Sequence, residues 1–251
     1  MSCEVHILAW NEAAILPYTL RHYRTFCDKM VVHDARSTDR TRDIAQWWGA
    51  EVRDWNLGDS VDEQKYVELR NGCWRGTDAH WVIVADADEF LWFPEGAGST
   101  LARYEAKGAA VIKPHGFEMF TETYPTTTDQ IYDEVKLGAP DDKWYAKPVL
   151  FSPIKIADSG LGMGSHESDP VLHDGRKIHV GANWPFAKPP CYLLHFHQIG
   201  PIARIAAKYD ENLKRRSRYN YEHNMGNFKP GMEHALEKRN YILKSLQNVV
   251  P

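Results

Sequence analysis

Short apolar runs alternate along the first half of the chain with segments whose apolar residues recur every three or four positions. The recurrence at Ile15, Leu16, Leu20, Tyr23 and Phe26 predicts a first helix. Further helices are expected up to Gly49, with an N-cap at Ser37 or Thr38, and over 61–75. The apolar runs predict strands at 4–10, 30–33, 50–55 and 80–85. This alternation predicts an α/β fold built on a parallel, doubly wound sheet.

The pattern changes after residue 88. Ser99 is expected to cap a helix that ends at Gly108, and the segment 116–190, rich in Gly, Pro, Asp and Thr, predicts short strands and long loops. The other predicted elements are strands at 110–113, 149–151 and 192–197 and helices at 202–217 and 233–247. We therefore expect one domain, 1–251, made of three segments that comprise residues 1–115, 116–200 and 201–251.

Three carboxylates, Asp86, Asp88 and Glu89, stand where the fourth strand ends. Open α/β sheets bind ligands beyond the carboxyl ends of their strands. Asp86 and Asp88 are two positions apart and would share one face of a regular strand. Two oxygen ligands of this kind suit Mg²⁺ or Mn²⁺. The alternative is a strand end followed by a solvated acidic turn.

Composition narrows the function classes. The chain has 251 residues, of which 43% are hydrophobic and 25% charged, and its net charge of −4 argues against a general nucleic-acid-binding protein. Its four cysteines are widely spaced and form no CxxC pair, so neither a zinc site nor a disulfide framework is expected and a cytoplasmic location is the default. A basic run indicates a solvated helix face or a peripheral contact with anionic lipid at the inner face of the membrane, and it comprises Lys214, Arg215, Arg216 and Arg218.

Three motifs follow one another over residues 5–91. The first is a strand, Asn11-Glu12 and a helix with Leu16-Pro17; the second is the segment 34–41, which reads Asp-x-x-Ser-x-Asp-x-Thr. The third is Arg70-Asn71, a strand and then Asp86-Ala87-Asp88. In this order the motifs resemble those of the family 2 glycosyltransferases, which have the GT-A fold: a Rossmann-like, mainly parallel central sheet flanked by helices.

The resemblance implies a metal-dependent glycosyltransferase that moves a sugar from a nucleoside diphosphate donor to a glycan or glycolipid hydroxyl, as in polysaccharide biosynthesis. Uridine diphosphate is the first choice of carrier, and inversion at the anomeric carbon is the family's habit. Residues 1–115 would then bind the nucleotide sugar, residues 116–200 would bind the acceptor, and residues 201–251 would form C-terminal helices. The oligomeric state stays open.

Roles follow for the donor-binding residues. Glu12 would accept hydrogen bonds from ribose, and Asp34 would accept one from the imide of a uracil or guanine; turn chemistry is the alternative for Asp34 and Asp39. Arg70 would reach the diphosphate or hold Asp86. The resemblance adds further positions to this nucleotide-binding set, namely Ala9, Asn11, Ser37 and Ala87.

The cation, Mn²⁺ or Mg²⁺, would be bound by Asp88, with Asp86 as second ligand or ribose acceptor and His195 completing the set. A structural role is the alternative for His195, and His197 on the same strand face could replace it. The candidates for a catalytic base or its neighbour are Glu89, His166, Glu167 and Asp169. The Gly-rich segment 160–167 would form either a lid over the donor or a plain surface loop.

Two other functions stay open. A sugar nucleotidyltransferase would also join an acidic metal pair to an α/β sheet, but Asn11-Glu12 stands where its Gly-rich, basic loop would be. A non-catalytic carbohydrate-binding domain of the same fold is the third possibility. Trp144, Tyr145 and Trp184 could stack on an acceptor sugar or pack in the core.

Overall fold

The structure is a computed structural model and describes residues 1–55, 60–141, 143–180, 191–225 and 229–251. The helices of the described residues are α1 (Leu16–Tyr23), α2 (Thr41–Trp47), α3 (Glu63–Gly72), α4 (Ala97–Ala106), α5 (Ile131–Glu134), α6 (Ile202–Lys214), α7 (Arg218–Glu222) and α8 (Gly231–Ile242). The strands are β1 (Cys3–Ala9), β2 (Lys29–Asp34), β3 (Glu51–Asp54), β4 (Trp81–Asp86), β5 (Glu89–Trp92), β6 (Val111–Ile112), β7 (His115–Thr121), β8 (Leu137–Pro140), β9 (Leu150–Phe151), β10 (Ile156–Asp158), β11 (Val171–Leu172), β12 (Tyr192–Ile199) and β13 (Gln247–Asn248).

A six-stranded sheet with the order β3-β2-β1-β4-β9-β6 forms the centre of the fold. Strands β1 to β4 are mutually parallel, whereas β9 runs antiparallel to both β4 and β6. All seven residues of β1 are buried, because elements cover both faces of the sheet. The expected α/β fold with a mainly parallel central sheet and flanking helices is confirmed.

The two faces of β1 have different neighbours. Val5 and Ile7 pack in the larger core, which includes residues of α1, whereas Leu8 packs with residues that follow α3. Because side chains alternate along a strand, Glu4 and His6 lie on the same face as Leu8. This second face therefore carries buried polar groups within an otherwise apolar layer.

A second sheet, with the order β13-β8-β7-β12-β5, stands beside the first. Strand β12 is parallel to β7 and antiparallel to β5. The short link Ala87-Asp88 joins β4 of the first sheet to β5 of the second, so the acidic segment lies where the two sheets meet. Strands β10 and β11 form a separate pair.

Several predicted boundaries needed correction. The N-cap of α2 is Arg40 rather than Ser37 or Thr38, because the Asp39 carboxylate accepts the Thr41 N–H at 2.9 Å. Gly96, not Ser99, is the N-cap of α4. The predicted end signals are confirmed, since both Gly49 and Gly108 have the positive φ of a residue that follows a helix. Among the residues that the structure describes, no helix combines the length and the apolar character that a membrane crossing needs.

Candidate functional site

A cleft of about 360 Å³ opens at the carboxyl ends of β1 and β4. Its floor includes Ala9, Asp86 and Ala87, the last of which is fixed by a hydrogen bond from its N–H to the Leu8 carbonyl at 3.1 Å. The walls come from α3, β12, α6 and the segment after α6. The parallel strands thus place Ala9, Asp86 and Ala87 at one edge of the central sheet, and β12 and α6 cover them.

Asp88 and two histidines of β12 form a cluster in this cleft. The side-chain ligand atoms of Asp88, His195 and His197 all lie within 4.8 Å of one another. His197 Nδ1 is 3.3 Å and His195 Nε2 is 3.6 Å from the Asp88 carboxylate. The two imidazole rings share a strand face and are nearly parallel, with 5.7 Å between their centres. Two nitrogens and one carboxylate make a plausible set of ligands for a divalent metal.

Opposite charges surround Asp88. Burial opposes its ionisation, but His195 and Lys208 outweigh burial and hold the pKa of Asp88 well below its usual range. Burial also opposes protonation of His195, yet the Glu118 and Asp88 carboxylates raise its pKa to about 9. The pKa of His197 is lowered, chiefly by burial. Asp88 is therefore an ionised carboxylate, which is the form that binds a cation.

Contacts behind the two rings fix their orientation. His195 Nδ1 lies 2.9 Å from a carboxylate oxygen of the buried Glu118, and the ring stacks on Tyr145 with 4.4 Å between centres. The Nδ1 contact leaves Nε2 directed toward Asp88, an arrangement common in metal-binding histidines. His197 Nε2 is buried and has no hydrogen-bond partner among the residues described by the structure.

Asp86 has different partners from Asp88. It accepts hydrogen bonds from Arg70 Nη2 at 2.8 and 3.1 Å, and Lys147 Nζ is 3.9 Å away. Arg70 therefore holds Asp86, one of the two roles predicted for it. The grouping of possible metal ligands found among the described residues contains His197 and not Asp86, so the predicted pair of aspartate ligands is not what the geometry brings together. Arg70 Nη1 is buried without a hydrogen-bond partner among those residues, although Arg70 lines the cleft.

Glu89 does not face the cleft. It is 1% exposed, pairs with Lys147 and accepts the Asp86 N–H at 3.0 Å. The ion pair holds the turn between β4 and β5. The Glu89 carboxylate is therefore already engaged on both sides, which makes it a weaker candidate for the base than a carboxylate that lines the cleft.

Glu12 lies at the mouth of the cleft, where its carboxylate is 2.8 Å from Lys208 Nζ. Burial raises the pKa of Glu12, and Lys208 acts in the opposite direction. Asn11 lines the same wall with a φ of 52°. Both residues, which the sequence analysis assigned to nucleotide binding, therefore line the cleft.

Asp34 and Ser37 lie outside the cleft lining. Asp34 is fully buried, pairs with Arg42 Nη1 at 3.0 Å and receives the Ser37 N–H. The Ser37 hydroxyl accepts the Asn11 N–H at 2.9 Å, and Asp39 accepts the Ala13 N–H at 3.0 Å. These contacts join the loops after β1 and β2, as the turn alternative for Asp34 and Asp39 would have it.

The Gly-rich segment is packed against α3. Asn71 donates to the Leu161 carbonyl at 2.9 Å and accepts the Leu161 N–H at 2.7 Å. Gly164 lines the cleft, but the three base candidates of this region, His166, Glu167 and Asp169, do not. Asp169 is exposed and contacts His179. Burial lowers the pKa of His166 to about 4.

The aromatic residues that were candidates for stacking on an acceptor sugar, and the basic run, have different surroundings in the structure. Tyr145 packs on His195, whereas Trp144 is 43% exposed and lies edge-on to His166; Trp184 lies outside the described residues. Within the basic run, Arg215 lines the cleft and its guanidinium carbon is 3.2 Å from the centre of the Trp10 ring. Some of this run therefore borders the cleft instead of forming only a solvated face.

Three site residues received no role from the sequence. They are Glu118, Lys147 and Glu63, and each acquires its neighbours only through folding. Glu63 lines the cleft, where burial raises its pKa. A signal existed for Lys147, which precedes the predicted strand at 149–151, and none for the other two.

No protein-family model matches the chain, and no curated protein matches it. Among solved structures, it is similar to glucosyl-3-phosphoglycerate synthase from Mycobacterium tuberculosis in complex with Mn²⁺, uridine diphosphate and glucosyl-3-phosphoglycerate. That match has 17% identity, covers 47% of this chain and 44% of the other, and has a TM-score of 0.33. Mannosyl-3-phosphoglycerate synthase from Rubrobacter xylanophilus matches with 22% identity over 46% of this chain and 40% of the other, with a TM-score of 0.36. The matched region thus spans less than half of either enzyme.

Proposed function

We propose that the chain is a metal-dependent glycosyltransferase of the GT-A type. It takes a sugar from a nucleoside diphosphate, with uridine diphosphate as first candidate, and gives it to a glycan or glycolipid hydroxyl. The observation that supports this function most is the Asp88, His195 and His197 cluster beside the cleft. A plain acidic turn needs no two histidines directed at its carboxylate.

The ligand atoms favour Mn²⁺ over Mg²⁺, because imidazole nitrogen suits transition metals better than it suits Mg²⁺. A bound divalent cation supplies charge neutralisation on the leaving diphosphate. Arg70 lines the same cleft, and its buried Nη1 has no hydrogen-bond partner among the described residues. It would bind a phosphate oxygen through a charge-assisted hydrogen bond. Glu12 and Asn11 would orient the ribose.

Inversion at the anomeric carbon requires a base near the acceptor hydroxyl. Two cleft-lining carboxylates outside the metal cluster, Glu12 and Glu63, have a pKa that burial raises. Glu12 is engaged by Lys208 Nζ at 2.8 Å, which leaves Glu63 as the better candidate. We therefore place it ahead of Glu89, His166 and Glu167 for this role. Glu63→Gln should retain donor affinity and lose about 10²–10⁴-fold in transfer rate; an unchanged rate would return the role to another group.

Calorimetry with uridine diphosphate, with and without Mn²⁺, tests the function directly. We expect binding that strengthens with Mn²⁺ and that loses this dependence in Asp88→Asn. The matched control is Asp174→Asn, since Asp174 is an exposed aspartate outside the cleft. No binding of any nucleoside diphosphate in either condition would contradict the proposal.

Donor turnover then separates the alternatives. A glycosyltransferase should release the nucleoside diphosphate from at least one of a panel of nucleotide sugars, with the sugar passing to an acceptor hydroxyl or to water. Asp88→Asn should abolish the release with the fold intact by circular dichroism. Binding without release in the wild-type protein would favour a carbohydrate-binding domain. Pyrophosphate formed from a sugar phosphate and a nucleoside triphosphate would favour a nucleotidyltransferase.

A further inference from the structure

A second group of metal-binding side chains lies inside the protein, away from the cleft. It consists of His6 on β1, His33 on β2 and Cys73, the residue directly after α3. Their ligand atoms all lie within 4.8 Å of one another, and the residues are only 1%, 3% and 9% exposed. None of the three lines the cleft. The cluster is therefore separate from Asp88 and its histidines.

The contacts of His6 determine which of its two ring nitrogens has a lone pair free to bind a metal ion. His6 Nε2 is 3.2 Å from Glu4 Oε1, which favours a proton on Nε2, although the contact is less well aligned than a hydrogen bond. His6 Nδ1 is 2.9 Å from His33 Nε2, so the two rings share one proton at this position. The Nδ1 lone pair of His6 and the Nε2 of His33 thus point toward each other. A carboxylate behind the outer nitrogen is the usual support of a metal-binding histidine.

We propose that His6 Nδ1, His33 Nε2 and Cys73 Sγ bind one Zn²⁺ ion, which joins the first two strands of the central sheet to the end of α3. On binding, the proton between the two rings would move to Nδ1 of His33, so that both imidazoles stay neutral, and the proton of the Cys73 thiol would be released to solvent. Cysteine sulfur and histidine nitrogen are the ligands that Zn²⁺ prefers, and three of them leave a fourth tetrahedral position for water. The sequence did not indicate this set, because its three residues are far apart along the chain and only the folded sheet brings them together.

Charge balance supports a divalent ion here. The thiolate of Cys73 and the carboxylate of Glu4 would offset the charge of the ion, which lowers the cost of burying it. Two cations stand behind these groups: Lys29 Nζ lies 3.3 Å from Glu4 and 3.1 Å from Glu51, and Arg53 is 2.7 Å from Glu51.

The fit requires both imidazole rings to turn. With zinc–nitrogen bonds of about 2.0–2.1 Å at a tetrahedral angle, two ligand nitrogens stand about 3.3 Å apart. The observed 2.9 Å between His6 Nδ1 and His33 Nε2 must therefore widen by a few tenths of an ångström. Because the two nitrogens face each other, each ring must also rotate until its lone pair faces the ion. Because the cluster is buried, the ion would enter as the chain folds.

Refolding the full chain with Co²⁺, which substitutes for Zn²⁺ and reports its ligands by absorption, tests the site. We expect one equivalent to give a thiolate-to-cobalt charge-transfer band that Zn²⁺ abolishes. Cys73→Ala should lose the band, and His33→Gln should lose or strongly weaken it. X-ray absorption of the zinc form of Asp88→Asn should show one sulfur neighbour and three neighbours that are nitrogen or oxygen.

Two control variants separate this site from other groups. Asp88→Asn should keep the band, which shows that the cleft does not produce it. The Cys27 thiol stands 3.6 Å from that of Cys3, so this pair is an alternative source of a thiolate band. Cys27→Ser should keep the band, because Cys73 produces it. A wild-type chain without a thiolate band, or a band lost in Cys27→Ser and kept in Cys73→Ala, would overturn the proposal.

Discussion

At the scale of single residues, the orientation of His195 depends on Glu118. The carboxylate of Glu118 is buried on β7 and contacts His195 Nδ1 on the neighbouring strand β12. This contact fixes the ring with Nε2 toward Asp88 and increases the basicity of that nitrogen. Glu118 is thus a positioning residue, because it acts on the cation site only through the histidine.

Glu118→Gln should weaken Mn²⁺ binding about 10–100-fold, since the amide keeps the size of the side chain but loses its charge. Glu122→Gln is the matched control, because Glu122 is exposed just beyond the end of the same strand. Calorimetric titration with Mn²⁺ measures both. Equal affinities in the two variants would show that Glu118 does not support the metal site.

The sequence identified the residues that a local motif marks. Asp86 and Asp88 were predicted as ligands from the strand that precedes them, but the sequence did not predict that the cluster would contain His197 in place of Asp86. Asp86 is outside the cluster because Arg70 on α3 forms an ion pair with it. The pairing of Glu89 with Lys147 was also not predicted, because the two residues are 58 positions apart along the chain.

At the scale of elements, the close approach of α6 and α8 shapes one wall of the cleft. Gly231 begins α8, and a Cβ atom there would lie 2.1 Å from the Ala206 carbonyl of α6. A glycine is therefore required for this spacing. The adjacent turn of α6 carries Lys208 and Tyr209, both of which line the cleft.

Gly231→Ala should push α6 away from α8, lower the free energy of unfolding by about 1–3 kcal/mol and weaken donor binding. Gly98→Ala in α4 is the control, because no atom outside its own helix lies within 4 Å of the added Cβ. That variant should be neutral or slightly more stable. Urea unfolding and nucleotide calorimetry on both proteins would decide, and identical behaviour of the two variants would contradict the packing argument.

The parallel strands and most helices could be predicted because each has its own periodicity. Strand β5 could not, because its first residue is a charged glutamate that only a distant lysine makes compatible with burial. The expectation of short strands over 116–190 covered β7 to β11, but no local pattern showed that β7 pairs with β12.

At the scale of the whole molecule, acid should destabilise the fold through buried neutral histidines. His22 on α1 lies 3.0 Å from the Leu91 carbonyl on β5, and burial lowers its pKa from 6.5 to about 4. Between these two values the unfolded chain binds a proton that the folded protein does not. The stabilisation is therefore complete above pH 6.5 and is lost as the pH falls through about 4.

His22→Gln should flatten the pH dependence of unfolding in this window, because glutamine can donate to Leu91 without titrating. The histidine accounts for a change on the order of 3 kcal/mol, at about 1.4 kcal/mol for each unit of pKa shift. The control is His173→Gln, at an exposed position. Denaturant unfolding at several pH values measures the slope, and equal slopes in wild type and His22→Gln would refute this assignment.

The long separation along the chain between Asp88, in the link between β4 and β5, and the two histidines of β12 has a consequence for biosynthesis. Asp88 leaves the ribosome well before His195 and His197, which stand on β12 in the second sheet. A nascent chain would therefore assemble its nucleotide floor early and, on the proposed function, remain catalytically silent until β12 has emerged. Premature termination before β12 would yield a product without either imidazole and therefore without the proposed metal site.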